Sequence, residues 1–192
     1  MANFTFVLDA SILYSAALRD LVMSLAANGL YRPAWSTLIH DEWMRNLITN
    51  QGGGASIQAY AARTRQRMDA VFPAAVIDGF QALIVGLTLP DARDRHVLAT
   101  AIRAGAAVIV TYNLRDFPSS VLAKFGIEPW HPDEFVEFLL NAEIDSALDA
   151  IREHRARLQR PPKTQSEDID MLMNKLQMPR SAQILQTNAL RF

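Results

Sequence analysis

The sequence contains no cysteine, which removes disulfides, zinc-thiolate and iron-sulfur sites, and thiol nucleophiles together, and suits a reducing compartment. Its chemistry must then rest on oxygen and nitrogen groups or on a hard metal ion. Long hydrophobic runs are also missing. Ala82–Leu87 and Ala104–Val110 are among the longest, far short of the roughly 20 residues that cross a bilayer, so no membrane segment is expected. Excess charge of either sign is absent: 19 Lys and Arg face 20 Asp and Glu, for a net charge of -1. Any nucleic-acid surface must therefore be local, since no global basic field exists to attract one. The opening MANFTFVLDASILY has no basic start and puts Asp9 inside its apolar stretch, unlike a signal peptide, so a cytoplasmic protein is expected. Four histidines, His40, His96, His131 and His154, have no ligand-pair spacing and read as incidental.

What remains is an ordinary folding composition, 50% hydrophobic and 20% charged over 192 residues, enough for one domain with some elaboration. Phe4–Leu8 reads as a strand ending at Asp9, followed by a helix with Ile12, Leu13, Ala16 and Ala17 on one face. After Tyr31–Ala34, Ser36 is a helix N-cap before Ile39, Trp43, Met44, Leu47 and Ile48, and Gly52-Gly53-Gly54 stops that helix. A helix is expected over 57–71, and Ala74–Ile77 is a candidate buried strand with a helix behind it. Asp94 opens a helix that Gly105 ends, Ala107–Val110 is an apolar strand, and Gly126–Glu128 is a candidate edge strand before the helix at Pro132. Alternation of strand and helix over residues 4–140 predicts a parallel sheet covered by helices. Residues 1–140 are thus expected to form one α/β domain and 141–192 a helical appendix. In that appendix Ile144, Leu148, Ile151 and Leu158 form a stripe, Pro161-Pro162 break it, Thr164 and Glu167 form a capping box, and Pro179 and Ser181 start a last helix.

In such a sheet the functional groups gather at the C-terminal ends of the strands. Asp9 follows the first strand, Asn113 and Asp116 follow the Ala107 strand, Asp91 and Asp94 precede a helix expected at the same edge, and Glu42 can reach it. Carboxylates that converge without a cation repel and raise one another's pKa, so a divalent ion would resolve the conflict, and hard oxygen donors favour Mg2+ or Mn2+ over zinc. Each residue also has a plainer explanation: Asp91 and Asp94 as helix-start groups, Glu42 as a solvated charge, Asp116 as a turn residue. Asp9 is the hardest to explain that way, because a carboxylate directly after a central strand is costly to bury unpartnered.

Four ordered pieces, VLDASIL with Asp9, HDEW with Glu42, LPDARDRHVLATAIRAGA with Asp91 and Asp94, and VTYNLRDFP with Thr111, Asn113 and Asp116, resemble the PIN-domain nucleases, specifically the VapC-like toxin ribonucleases. The resemblance spans residues 4 to about 140 and is most specific in the third and fourth pieces. It implies a three-layer α/β/α domain, a Mg2+- or Mn2+-dependent endoribonuclease, an RNA substrate, a cognate antitoxin that blocks the site, and a possible homodimer. Asp9, Glu42 and Asp94 match that family's acidic core and Asp116 its fourth acidic position. Asp91 fits the Pro-Asp-x-x-Asp subgroup, so Asp9, Asp91, Asp94 and Asp116 are the implied metal ligands. Ser11, Thr111 and Asn113 would be supporting groups. The helical region after Leu140 is absent from minimal toxins.

Arg93, Arg95 and Arg115 flank the acids and are candidates to hold the RNA backbone, while Arg63, Arg65 and Arg67 read as solvated surface. A metal-dependent phosphatase would need Asp at position 11, which is Ser. Two other readings stay open: a non-catalytic interaction module, in which the acids are helix caps, and an RNA-processing nuclease that is not a toxin.

Overall fold

The computed structural model describes residues 4–157 and 164–191. Four short strands, β1 (Thr5–Leu8), β2 (Arg32–Ala34), β3 (Val108–Val110) and β4 (Glu128–Trp130), pair in the order β2-β1-β3-β4, every pair parallel. In register, Phe6 lies opposite Pro33 and Val108, and Val110 opposite Leu8 and Trp130. The two central strands are apolar throughout: Phe6, Val7, Leu8 and Val108, Ile109, Val110 are all buried. Continuous apolar runs, in place of alternation, are what a sheet covered on both faces requires.

The helices are α1 (Ala10–Tyr14), α2 (Ala16–Ala27), α3 (Thr37–Asn50), α4 (Ala55–Val71), α5 (Gln81–Ile84), α6 (Arg95–Ala104), α7 (Ser119–Leu122), α8 (Pro132–Ala142), α9 (Ile144–Arg157), α10 (Gln165–Asp170) and α11 (Pro179–Thr187). They fall into two compact units. The first holds the described residues up to Ser15 together with Arg32–Trp130, and the second holds Ala16–Tyr31 and the described residues from His131 onward.

In the first unit, α6 packs along β1, β2 and β3 through Val97, Leu98 and Ala101, all fully buried. Gly105 ends that helix in the left-handed conformation at φ 61, the backbone state a glycine adopts without a Cβ penalty. Helix α3 begins, as expected, at Ser36, whose hydroxyl accepts from the Ile39 amide. A buried polar relay fixes its rotation against α4. The Asp69 carboxylate accepts from Trp35 Nε1 at 3.0 Å and from His40 Nε2 at 2.9 Å, and Trp43 Nε1 donates to His40 Nδ1 at 2.8 Å. Burial holds the His40 imidazole below its ordinary pKa, in keeping with a ring whose two nitrogens already have fixed donor and acceptor roles.

Three local expectations are corrected. Ala74–Ile77 is not a strand: Pro73–Ala75 is a 3-10 turn, and pairing shrinks to one bridge between Trp35 and Val76, since Pro73 fixes its own φ and has no N–H to donate. The edge strand lies at Glu128–Trp130, not Gly126–Glu128, because Gly126 is spent at φ 69 closing the preceding 3-10 turn. Arg65 is also not simply solvated, since its guanidinium reaches Asp41 at 3.2 Å and Asp69 at 3.6 Å.

In the second unit, α2 packs on α9, and α8 on both α9 and α11. Tyr31 meets Phe135 edge to face, centroids 4.9 Å apart at 85°. Asp133, buried at the start of α8, accepts from the Arg180 and Ser181 amides at 3.0 and 2.9 Å and from the Ser181 hydroxyl at 2.8 Å, which satisfies free N–H groups at the α11 N-terminus. The capping box of Thr164 and Glu167 forms as expected, whereas Leu158 and Pro161-Pro162 lie outside the described residues. Among the described residues no helix is long and apolar enough to cross a membrane.

Candidate functional site

Because the sheet is parallel, β1 and β3 end at one edge, and the chain delivers Asp9 and Thr111 there side by side. The Asp9 amide still donates to Val110 O at 3.1 Å and the Thr111 amide to Trp130 O at 2.9 Å. The Asp9 side chain caps α1, accepting from the Ala10 amide at 2.7 Å. Its other oxygen accepts from two hydroxyls, Ser11 and Thr111, each at 2.8 Å. Those hydroxyls are themselves fixed by backbone donors: Ser11 Oγ accepts from the Tyr112 amide at 3.2 Å and Thr111 Oγ1 from the Asn113 amide at 2.9 Å. Burial pushes the Asp9 carboxyl up from its ordinary pKa, the Thr111 and Ser11 hydroxyls pull it down, and the Glu42 charge pushes it up again. Asn113 continues the chain of contacts by donating its amide Nδ2 to the Asp116 carboxylate.

The two aspartates before α6 part company. Asp91 does what a helix-start residue does: its Oδ1 accepts from the Arg93 amide at 2.8 Å. It is also gripped by the Arg93 guanidinium, at 3.0 Å from Nε and 2.7 Å from Nη2, and this hydrogen bonding holds its carboxyl below the usual range. Asp94 stands at the N-cap position of α6, which starts one residue later than expected, yet makes no side-chain cap. Its Oδ2 is buried with no hydrogen-bond partner. Burial first, and then the charges of Asp9, Asp91, Glu42 and Asp116, raise its carboxyl from the ordinary 3.8 to about 7.

The four other expected carboxylates are therefore all within electrostatic reach of Asp94. The cap explanation holds for Asp91 and fails for Asp94. Arg93 is committed to Asp91, Arg95 donates Nε to Ala92 O at 2.9 Å, and Arg115 is exposed with no ion pair among the described residues. One residue was missed. His96, read as incidental, places Nε2 at 3.2 Å from Glu42 Oε2; the partners lie 54 positions apart, a separation that no spacing rule scans.

The donor set suits a hard cation: oxygen ligands only, an orphaned buried oxygen on Asp94, and a carboxyl whose charge its neighbours oppose. It does not suit an all-protein cage. Among the described residues no three His, Asp or Glu side chains are gathered closely enough to hold an ion between them, so an ion here would keep waters and take oxygen from a bound phosphate, as Mg2+ commonly does.

Comparison with known proteins agrees with this geometry. A family model described as PIN domain matches residues 5–115, and one described as VapC50 C-terminal domain matches residues 132–187. Over 44 residues the chain is 52% identical to "Putative ribonuclease VapC50" of Mycobacterium tuberculosis (strain ATCC 25618 / H37Rv), a stretch that covers 23% of this chain and 26% of that protein. The chain thus spans about a quarter of the length of the curated relative it matches. No solved structure matches. The family's three-layer α/β/α class, followed here by helices, accords with the parallel sheet and largely helical remainder. With the first model extending over more than half of its length, this chain belongs to the PIN-domain family.

Proposed function

We propose that the chain is an endoribonuclease that requires Mg2+ or Mn2+, hydrolyses RNA phosphodiester bonds, and serves as the toxin of a type II toxin-antitoxin pair. A cytoplasmic setting, a homodimer and a cognate antitoxin that covers the site belong to the same reading. One observation carries it: Asp94 leaves a buried oxygen without a partner while four other carboxylates press on it, an arrangement that is costly unless a cation is bound during function. The ribonuclease name of the M. tuberculosis relative and the VapC50 match in residues 132–187 support the substrate class and the toxin role.

Asp9, Asp94, Asp91 and Asp116 would hold the ion in part through bound waters, since no three of them stand close enough to share it directly, with Glu42 as a further acidic group. A bound Mg2+ or Mn2+ would supply water activation and neutralise charge on the phosphate oxygens. The remaining work falls to the chain. Ser11 and Thr111 aim Asp9 and offset part of the cost of burying its charge, Asn113 orients Asp116, and Arg95 and Arg115 offer guanidinium groups to the RNA backbone. No side-chain nucleophile is required: cysteine is absent, and the Ser11 hydroxyl is already engaged as a donor to Asp9.

The test incubates the purified full chain with structured and unstructured RNA, with Mn2+, with Mg2+ and with chelator. Cleavage is expected only with metal and is expected to be lost in Asp94→Asn. Equal cleavage by both proteins, or none by either under any condition, rejects the nuclease reading and leaves the interaction module. Growth arrest on expression, relieved by a small protein encoded next to this one, separates a toxin from a general RNA-processing enzyme.

A further inference from the structure

We propose that His96 is a positioning residue, one that holds the Glu42 carboxylate at the acidic site by donating a hydrogen bond from Nε2. The proposal rests on the nuclease reading for its kinetic consequence but on geometry for its existence. Nε2 lies 3.2 Å from Glu42 Oε2, and the two side chains are 13% and 27% exposed. An ionised carboxylate only accepts, so the proton of this bond sits on Nε2. Nδ1 is buried and has no partner, so the ring's contact with Glu42 is made through Nε2 alone.

The mount is rigid and the cargo is not. His96 is the second residue of α6; its carbonyl accepts from the Thr100 hydroxyl at 2.7 Å, and Val97, Leu98 and Thr100 beside it are fully buried. Glu42 has a longer, more rotatable side chain, and His96 supplies the one hydrogen bond its carboxylate receives among the described residues. Repelled by Asp9 and Asp94, a Glu42 without that bond would gain rotamer freedom by swinging toward solvent. Asp9 needs no such help, since Ser11 and Thr111 hold it already. The Asp94-x-His96 spacing thus places the unpartnered Asp94 carboxylate and the anchor for Glu42 on the same turn at the start of α6.

The test compares His96→Ala with His96→Gln, whose side-chain amide can present an N–H close to where Nε2 stood. In steady-state RNA cleavage with Mn2+, His96→Ala is expected to lower kcat by about 10–100-fold, the usual cost of losing a group that orients a site ligand, with KM within about twofold. His96→Gln is expected to recover most of that loss. Ring-nitrogen NMR of the metal-free wild type should report the Nε2–H tautomer, with a signal altered in Glu42→Ala. Full activity in His96→Ala, equal losses in the two variants, or an Nδ1–H tautomer overturns the proposal. If the wild type cleaves no RNA, or the alanine variant does not fold, the tautomer and its response to Glu42→Ala still decide whether His96 holds Glu42, independently of the nuclease reading.

Discussion

Asp9 and Asp94 are aspartates of one acidic edge, yet they are built in opposite ways. Asp9 is buried and saturated, with an amide on one oxygen and two hydroxyls on the other. Asp94 is half-buried and starved, with an oxygen that nothing donates to and four like charges around it. The difference teaches what each has been folded for. In Asp9 the hydrogen bonds of the chain offset part of what burial costs the anion, whereas Asp94 has no such donor on its buried oxygen and its anion gains most from positive charge supplied from outside.

The sharpest way to break this contrast is Asp94→Asn, which removes the starved charge and keeps its shape. Metal-dependent RNA cleavage is expected to fall by at least about 10²–10³-fold, the scale on which loss of one preorganised electrostatic group acts. On the other side, Thr111→Val takes a donor from Asp9 and leaves the Asn113 amide without its acceptor at nearly constant volume. Urea unfolding should show a loss of about 1–3 kcal/mol, the cost of stranding a buried polar group, and cleavage should fall by about 10–100-fold.

The same contrast predicts an unusual pH dependence. Asp94 has a folded pKa of about 7 against an ordinary 3.8. Below the lower value it is protonated in both states. Between the two the unfolded chain releases a proton that the folded chain retains, so without divalent ions stability should decline as pH rises through this window and level off above about 7. Thermal melts of Asp94→Asn should lack that decline, so the variant is more stable than wild type at pH 8 and equal to it near pH 4. Added Mg2+ should stabilise the wild type at pH 8 and have little effect on the variant. The smallest effect is expected from Arg93→Ala. Its guanidinium is 90% exposed on Asp91, so the melting temperature should not move, and any change should be confined to the KM for RNA and its salt dependence.

Much of this frame is legible in the sequence where the signal is local. The apolar runs of β1 and β3, Ser36 before its helix, Gly105 after α6 and the Thr164/Glu167 box each encode their own geometry within a few residues. The gathering of Asp9 and Thr111 at one edge is legible too, because parallel strands deliver the residues just past their C-terminal ends there. What the sequence conceals is the division of labour within it. Asp91 and Asp94 look alike as two acids before an apolar helix, and only the fold shows that one is consumed as a cap and ion pair while the other is left bare. His96 escapes for a related reason: its meaning comes from Glu42 on another helix, and helical periodicity describes only neighbours on the same one. The strand expected at Ala74–Ile77 shows apolar content outvoted by a single backbone constraint at Pro73.

The segment Ala16–Tyr31 lies early in the chain but packs with residues from His131 onward. During synthesis it therefore leaves the ribosome roughly a hundred residues before its partners, a delay on the order of 5–20 s at typical elongation rates. Leu18, Leu21, Val22 and Leu25, all buried in the finished fold, lie on a helix whose packing partner α9 is not yet made in that interval. This nascent chain should accordingly engage a holding chaperone until the residues from His131 onward emerge.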